Sequence, residues 1–250
     1  LWWDAMCKEM KNVRPAFEPW EKDVSELPPG YQKITCHVIF DVKMGENFRR
    51  KARLVADGHK TQTPASLTYS SVVSRDSVRI ALTIAALNDL DIMACDIQNA
   101  YLTAECRERV WMVAGPEFGS EAGHNMIVRK ALYGLKSSGA AFRAHLAETL
   151  DAMGYRPSYA DPDVWLRPAA KPDGCECYEH ILCYVDDVLL MSHDPTKSLR
   201  RIRDDFKLKD DKIAPPDVCL EATIEKMTAP NGNPCWSMLP EQCVKAAVTN

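Results

Sequence analysis

Two adjacent carboxylates, Asp186 and Asp187, stand where two apolar runs meet, and this junction constrains the chain more than any other stretch. Ile181-Leu182-Cys183 leads into Tyr184-Val185-Asp186-Asp187, and Val188-Leu189-Leu190-Met191 leads out of it. Each apolar run is about strand length. Aspartate disfavours strand interiors and tolerates turns, so the stretch reads as a β-hairpin with the acid pair at its tip. Two like charges so placed are costly unless something positive sits between them. For an isolated pair, a solvated Asp-Asp turn is the plain alternative.

The chain has 250 residues, room for one large domain or two modest lobes. With 46% hydrophobic and 26% charged residues it is not a disordered sequence. No apolar run approaches bilayer length. Leu1-Trp2-Trp3-Asp4 lacks the basic start and apolar core of a signal peptide, and without an initiating Met it reads as a cut inside a longer polypeptide. An intracellular location, cytoplasm or nucleus, is expected, with no secretion and no membrane partner. The 10 cysteines form no CxxC pair, so free thiols in a reducing compartment are expected. Cys175-Glu176-Cys177 with His180 has the wrong spacing for structural zinc and no evident fourth ligand; it reads as a hairpin loop. Net charge is −4, so any polyanion must be held by a local positive surface.

Residues 1–30 are rich in Pro and Trp and read as a lead-in with one helix over residues 2–10. Extended runs at 34–42 and 51–56 flank Gly45-Glu46-Asn47, a hairpin signal, and Arg49, Arg50, Lys51 and Arg53 crowd the second arm. A solvated charge run is the default reading of that cluster. A helix from about Asp76 offers Ile80, Ile84 and Leu87 as its apolar face. Ile92-Met93-Ala94-Cys95 reads as a buried strand delivering Asp96, and short strands follow at 110–113 and 126–128. A second helix from about Ser138 to Met153 carries Phe142, Leu146, Leu150 and Met153, with Gly154 closing it. A strand at 164–166 precedes the hairpin. Asp194-Pro195 opens a third helix with Leu199, Ile202 and Phe206 as its stripe, and a strand at 220–224 follows. Helices interrupting strands without strict βαβ alternation predict an α+β layer with helices packed on one face, its strand ends bringing Asp96 and Asp186-Asp187 to one edge.

Three carboxylates from two strand ends suit hard divalent cations, which prefer carboxylate oxygens. Two such ions can clamp an in-line phosphoryl transfer. Pattern alone does not bring Asp96 to Asp186, since 90 positions (186 − 96) separate them.

Five ordered motifs make the chain, from about Phe40 to its C-terminus, resemble the reverse transcriptase domain of copia-type (Ty/copia) LTR-retrotransposon Pol polyproteins. They are Lys51-Ala52-Arg53-Leu54-Val55-Ala56, then Asp96-Ile97-Gln98-Asn99-Ala100-Tyr101-Leu102, then Leu132-Tyr133-Gly134-Leu135-Lys136. Tyr155 to Pro162 leading into Val164-Trp165-Leu166 is the fourth, and Tyr184-Val185-Asp186-Asp187 the fifth; Trp236-Ser237-Met238 and Val244-Lys245-Ala246-Ala247 follow. The resemblance implies a right-hand polymerase with fingers and palm, the palm a ferredoxin-like antiparallel sheet with helices on one face. It implies a lead-in over 1–30, fingers over 31–91, palm over 92–228 with a further fingers segment at about 105–137, and a truncated start of thumb over 229–250. RNase H, integrase and protease modules are expected elsewhere.

The implied activity is RNA-directed DNA synthesis. Deoxynucleoside triphosphates are added to a primer 3′ end on an RNA or DNA template, with two Mg²⁺ ions, or Mn²⁺, as cofactor. By matching position, Asp96, Asp186 and Asp187 are the catalytic and metal-binding acids, with Asp187 the less direct ligand and the Ile97 backbone carbonyl on the triphosphate-bound ion. Lys51 and Arg53 contact the triphosphate, for which a bidentate guanidinium favours Arg53. Tyr101 is an aromatic gate against a ribose 2′-OH, or else a core aromatic. Gly134 and Lys136 open the segment under the nucleotide and template base. Lys209 is a candidate general acid for pyrophosphate, or else a surface lysine.

The chain departs from the family at Ser137 (commonly Gln), at Phe142 (commonly Trp) and at Glu221 (commonly Gly in the primer-gripping turn). An inactive remnant that at most binds nucleic acid is therefore the second reading. A two-metal nuclease is the third; it has no use for the Tyr101 gate or the Lys51 and Arg53 clamp.

Overall fold

A computed structural model of the chain describes residues 1–43, 48–64, 68–216, 218–219 and 222–239. The turn at Gly45-Glu46-Asn47, the Glu221 departure and the motif at 244–247 lie outside the described residues. In chain order the elements are α1 (Trp2–Val13), β1 (Phe17–Pro19), β2 (Gln32–Lys33), β3 (Cys36–Lys43), β4 (Arg49–Ala56), α2 (Arg75–Leu87) and β5 (Asp91–Asp96). Then come α3 (Ala100–Thr103), β6 (Val110–Val113), β7 (Asn125–Val128), α4 (Ser138–Ala152), β8 (Arg156–Pro157), β9 (Val164–Ala170), β10 (Glu176–Tyr184) and β11 (Asp187–Ser192). Last are α5 (Pro195–Asp205), β12 (Val218–Cys219), β13 (Ala222–Thr228) and β14 (Pro234–Leu239). The fold is mixed α+β, and the chain divides into two compact units, one built from Leu1–Ser70 and Asn99–His145, the other from Ser71–Gln98 and Leu146–Asn250.

The first unit holds a four-stranded sheet ordered β1-β7-β6-β2 and the β3–β4 hairpin. Its core gathers Val13, Phe17, Leu54, Met112, Met126 and Leu132. The segment read as a lead-in is part of that core. Phe17 pairs with Val128 across β1 and β7 and is 3% exposed, and its ring meets Phe118 edge-on at 5.1 Å. Pro15 sits just inside the turn Arg14–Ala16, where no N–H is needed. Arg14 then closes on both oxygens of Glu121 at 2.5 Å.

The second unit is organised by an antiparallel sheet ordered β5-β11-β10-β9-β8. Its helices do not share one face. The α2 residues Val78, Ala81, Leu82 and Ala85 pack with Ile92, Leu182, Leu189 and Met191, which the register puts on a single face. On the alternate positions stand Arg167, Glu179 and Ser192, and there Arg167 donates to the Ser198 hydroxyl of α5 at 3.0 Å. The expectation of one helical face fails because β10 and β11 are buried on both sides, with Leu190 and Ile181 as enclosed as Leu189 and Leu182. Continuous apolar runs, unlike alternating ones, mark such strands.

The face assigned to α2 is also different. Ile80 and Leu87 are 61% and 81% exposed. The buried stripe keeps helical spacing but uses two alanines, which let the helix settle onto large strand side chains. The α5 reading agrees with the structure: the Asp194 side chain caps the Lys197 N–H at 3.3 Å, and Leu199, Ile202 and Phe206 are buried.

An ion pair between a half-buried arginine and a buried glutamate ties the sheet to both neighbouring helices. Glu179 accepts hydrogen bonds from the Tyr155 hydroxyl at 2.8 Å, Arg167 Nε at 2.8 Å and the Ser192 hydroxyl at 2.5 Å. Arg167 also donates to the Met153 carbonyl at the end of α4, 2.8 Å away, and lies over the Tyr155 ring. Burial pushes the Glu179 carboxyl up, but these hydrogen bonds and the Arg167 charge outweigh it and hold it below its usual range. Arg167→Met leaves that buried carboxylate without its counter-charge, though still bonded to Tyr155 and Ser192, and should cost about 2–3 kcal/mol in urea unfolding at neutral pH. A folded carboxyl held low stabilises above its unfolded value and loses that contribution as pH falls through its folded value. The gap between wild type and Arg167→Met should therefore close at acid pH; a gap that persists there would assign the loss to packing.

Candidate active site

The hairpin brings Asp187 opposite Asp96. Tyr184 pairs with Asp187 across β10 and β11, which leaves Val185-Asp186 as a two-residue loop. Val185 has φ 53° and Asp186 is not among the positive-φ residues, the pattern of a II′ turn, where glycine is the usual first residue. A β-branched residue held there stores roughly 1–3 kcal/mol of strain. On its outer edge β11 pairs with β5, and the register sets Asp187 against Asp96. Directly opposed residues share a face with Cβ atoms about 4.5–5.5 Å apart. The Asp186 carbonyl accepts the Ile97 N–H at 2.8 Å, locking the loop to the residue after β5. Thus Asp187, rather than Asp186, is the cross-strand partner of Asp96.

Lys209 reaches the same place from a third segment. The Gln98 N–H donates to the Lys207 carbonyl at 2.9 Å, and Ile97 forms an antiparallel bridge with Leu208. This lays residues 207–209 beside the chain leaving β5 and sets Lys209 Nζ 2.9 Å from Asp96 Oδ2. The buried Cys95 thiol registers the local field. It is pushed up to about 12, chiefly by desolvation and then by the charges of Asp96 and Asp187. Among the described residues no three His, Cys, Asp or Glu side chains converge into a ready-made cation cage. An all-oxygen pair of facing carboxylates fits an ion that brings its own phosphate and water ligands, as Mg²⁺ usually does.

The first unit groups other residues. Lys51 and Arg53 lie two apart on β4 and so on one face of the hairpin. The Arg53 guanidinium sits 5.4 Å from the Tyr133 ring centroid, and the Tyr133 ring meets Tyr101 at 4.8 Å. Tyr101 in turn contacts Phe142 at 6.3 Å. Gly134 has φ +92°, and a Cβ there would come within 2.0 Å of the Ala56 carbonyl oxygen, so only glycine lets this backbone lie against the end of β4. Lys136 donates to the Thr61 carbonyl at 2.6 Å. Tyr133, which joins the cation of Arg53 to the ring of Tyr101, was not singled out in the sequence reading. Its signal was an aromatic residue directly before Gly134.

The reverse transcriptase (RNA-dependent DNA polymerase) family model matches residues 19–215. The chain belongs to that family. The span includes Asp96, Asp186, Asp187 and Lys209, and begins earlier than the resemblance traced from about Phe40. Among curated relatives, the retrovirus-related Pol polyprotein from transposon RE1 of Arabidopsis thaliana is 32% identical over 84% of the chain. That from transposon RE2 of the same plant is 30% identical over 77%, and that from transposon TNT 1-94 of Nicotiana tabacum 27% identical over 74%. The reverse transcriptase domain is thus of the copia type, and the chain spans 14%, 13% and 14% of these polyproteins' lengths.

Two departures from the family pattern have a structural account in this reverse transcriptase domain. Ser137 is 1% exposed and gives both its N–H and its hydroxyl to Glu108 Oε1 at 2.8 Å, so it is a buried anchor. Phe142 is 2% exposed and backs the Tyr101 ring. The facing acids carry a cost of their own. Like charges directly opposed on neighbouring strands destabilise by up to about 1 kcal/mol. Asp187→Asn should therefore raise stability in urea by about 0.5–1 kcal/mol with chelator present at neutral pH; lower stability would mean that the carboxylate is a structural acceptor.

Proposed function

We propose that the chain is an RNA-directed DNA polymerase unit that adds deoxynucleotides to a primer 3′ end on an RNA or DNA template. The observation that carries this reading is the register that sets Asp96 against Asp187, within a chain of the reverse transcriptase family. Each unit contributes in its own way. The unit built on β5, β10 and β11 is the palm and offers the carboxylates. The unit built on β3 and β4 is the fingers and offers a cationic, aromatic face suited to a nucleoside triphosphate.

Asp96, Asp187 and Asp186, with the Ile97 carbonyl, are the residues to hold Mg²⁺, or Mn²⁺ in its place. When bound, two such ions supply charge stabilisation for the attacking and leaving oxygens of an in-line phosphoryl transfer. Lys209 neutralises Asp96, and its ammonium carries the proton assigned to the departing pyrophosphate. Arg53 presents a planar fork to phosphate oxygens and Lys51 a second cation, while Gly134 and Lys136 shape the floor beside them. Tyr101 acts by exclusion: its ring, backed by Tyr133 and Phe142, meets a ribose 2′-OH and admits the deoxy sugar.

Primer extension on an RNA template with Mg²⁺ and deoxynucleoside triphosphates tests the reading. Wild type should extend, and Asp96→Asn and Asp186→Asn should each lose more than about a hundredfold in rate. Robust extension by Asp186→Asn ends its assignment. No incorporation at saturating primer makes the chain an inactive remnant, and degradation of labelled nucleic acid without addition makes it a nuclease. In the same assay Tyr101→Ala should raise ribonucleotide use relative to deoxyribonucleotide use about tenfold or more; an unchanged ratio would reduce Tyr101 to packing.

A further inference from the structure

The β3–β4 hairpin is a sheet of two strands, so β4 presents an edge whose outward N–H groups need partners. Two successive outward groups are satisfied from different parts of the chain. The Ala56 N–H donates to the Tyr133 carbonyl at 2.7 Å. The Leu54 N–H donates to Glu9 Oε1 at 3.0 Å, across 45 residues of sequence. Arg53 and Val55 lie next to these pins, so the strand that carries Lys51 and Arg53 is held along its edge by α1 and by the segment around Gly134.

Helix α1 is itself firmly seated. Val13 is 2% exposed in the core, and Met10 packs beside it. At the other end the Trp2 ring meets Phe40 of β3 at 5.3 Å, and Arg50 of β4 lies 5.4 Å from the Trp2 centroid. Glu9 stands half-buried between these anchors. Burial pushes its carboxyl above its usual range, although the Leu54 hydrogen bond and the charges of Lys51 and Arg53 pull it back down in part. The carboxylate therefore shares its surroundings with the cations assigned to the triphosphate. Residues 1–18 precede the span matched by the family model.

We propose that Glu9 is a positioning residue for nucleotide binding: its hydrogen bond to Leu54 fixes the β4 edge, and so fixes Arg53 over Tyr133. The proposal rests on reading Lys51 and Arg53 as triphosphate contacts. A carboxylate acceptor makes a stronger bond than a neutral one, and its removal leaves an edge N–H to water and the strand free to shift. Arg53 is then less often in place, which weakens nucleotide binding without touching the reacting atoms.

Steady-state primer extension by the full chain, with deoxynucleotide as the varied substrate, tests this. Glu9→Ala should raise the nucleotide KM about tenfold, the size expected for one charge-assisted hydrogen bond, with kcat within about twofold. Glu9→Gln, which keeps an acceptor oxygen, should stay within about threefold of wild type, whereas Glu9→Asp, charged but too short, should resemble Glu9→Ala. In an Arg53→Ala background Glu9→Ala should add less than about twofold, because both act through one strand. A normal KM in Glu9→Ala beside a raised KM in Arg53→Ala overturns the inference and leaves the triphosphate reading standing. A normal KM in Arg53→Ala removes that reading and the inference with it. If Glu9→Ala does not fold, the Gln and Asp variants decide, and a raised KM for Gln with a normal KM for Asp overturns the proposal.

Discussion

The pairing of β5 with β11 is the constraint on which the rest of the second unit depends. It joins segments far apart in sequence, sets Asp96 against Asp187 and places the chain leaving β5 where residues 207–209 can bring in Lys209. A slip of one residue would turn every side chain of β5 to the other face of the sheet. Asp96 would then point toward the α5 side, and Ile92 would leave the core it shares with Leu189 and Met191. Burial on both faces makes that slip expensive, so the hydrophobic register and the chemical register are the same fact.

That coincidence explains what was legible in the sequence and what was not. The hairpin, its acidic tip and the α5 cap could be read because each is local: a turn between apolar runs, and Asp-Pro before a helical stripe. The cross-strand partner of Asp96 could not, because register is a tertiary property; the ladder puts Asp187 there. The α2 stripe was misassigned because alanine carries little hydrophobic signal, yet small residues are what a helix needs when the sheet beneath supplies Leu182, Leu189 and Met191. The two-faced burial did leave a trace, since Val188-Leu189-Leu190-Met191 runs apolar without alternation. Glu9 left none: one acid in an amphipathic helix looks like any solvated charge.

Unit one solves the opposite problem. Its cations sit on a two-stranded hairpin, which is marginal without outside support. Support comes from two segments along the free edge of β4, α1 through Glu9 and the Tyr133-Gly134 backbone beside it. Gly134 is informative here because any side chain would collide with the Ala56 carbonyl and lift the segment off the strand. A protein of net charge −4 can thus present a positive face, provided the face is narrow and its strand is pinned.

The hairpin tip concentrates features that each lower stability: opposed carboxylates on neighbouring strands and a β-branched residue at φ 53°. Such features persist only where the surroundings over-determine the backbone. Here the determination is visible on both sides of the loop. Tyr184 and Asp187 close the ladder beneath it, and the Ile97 N–H grips the Asp186 carbonyl from the neighbouring strand. Below them Leu182, Val188, Leu189 and Leu190 are almost fully enclosed, and farther down Glu179 and Arg167 tie the strands to α4 and α5. Each apolar side chain in that stack contributes about 1.5–3 kcal/mol by burial, and the four together outweigh what the tip loses to strain and repulsion. The acids can therefore stand where they cost stability, because the sheet beneath holds them in place without their help.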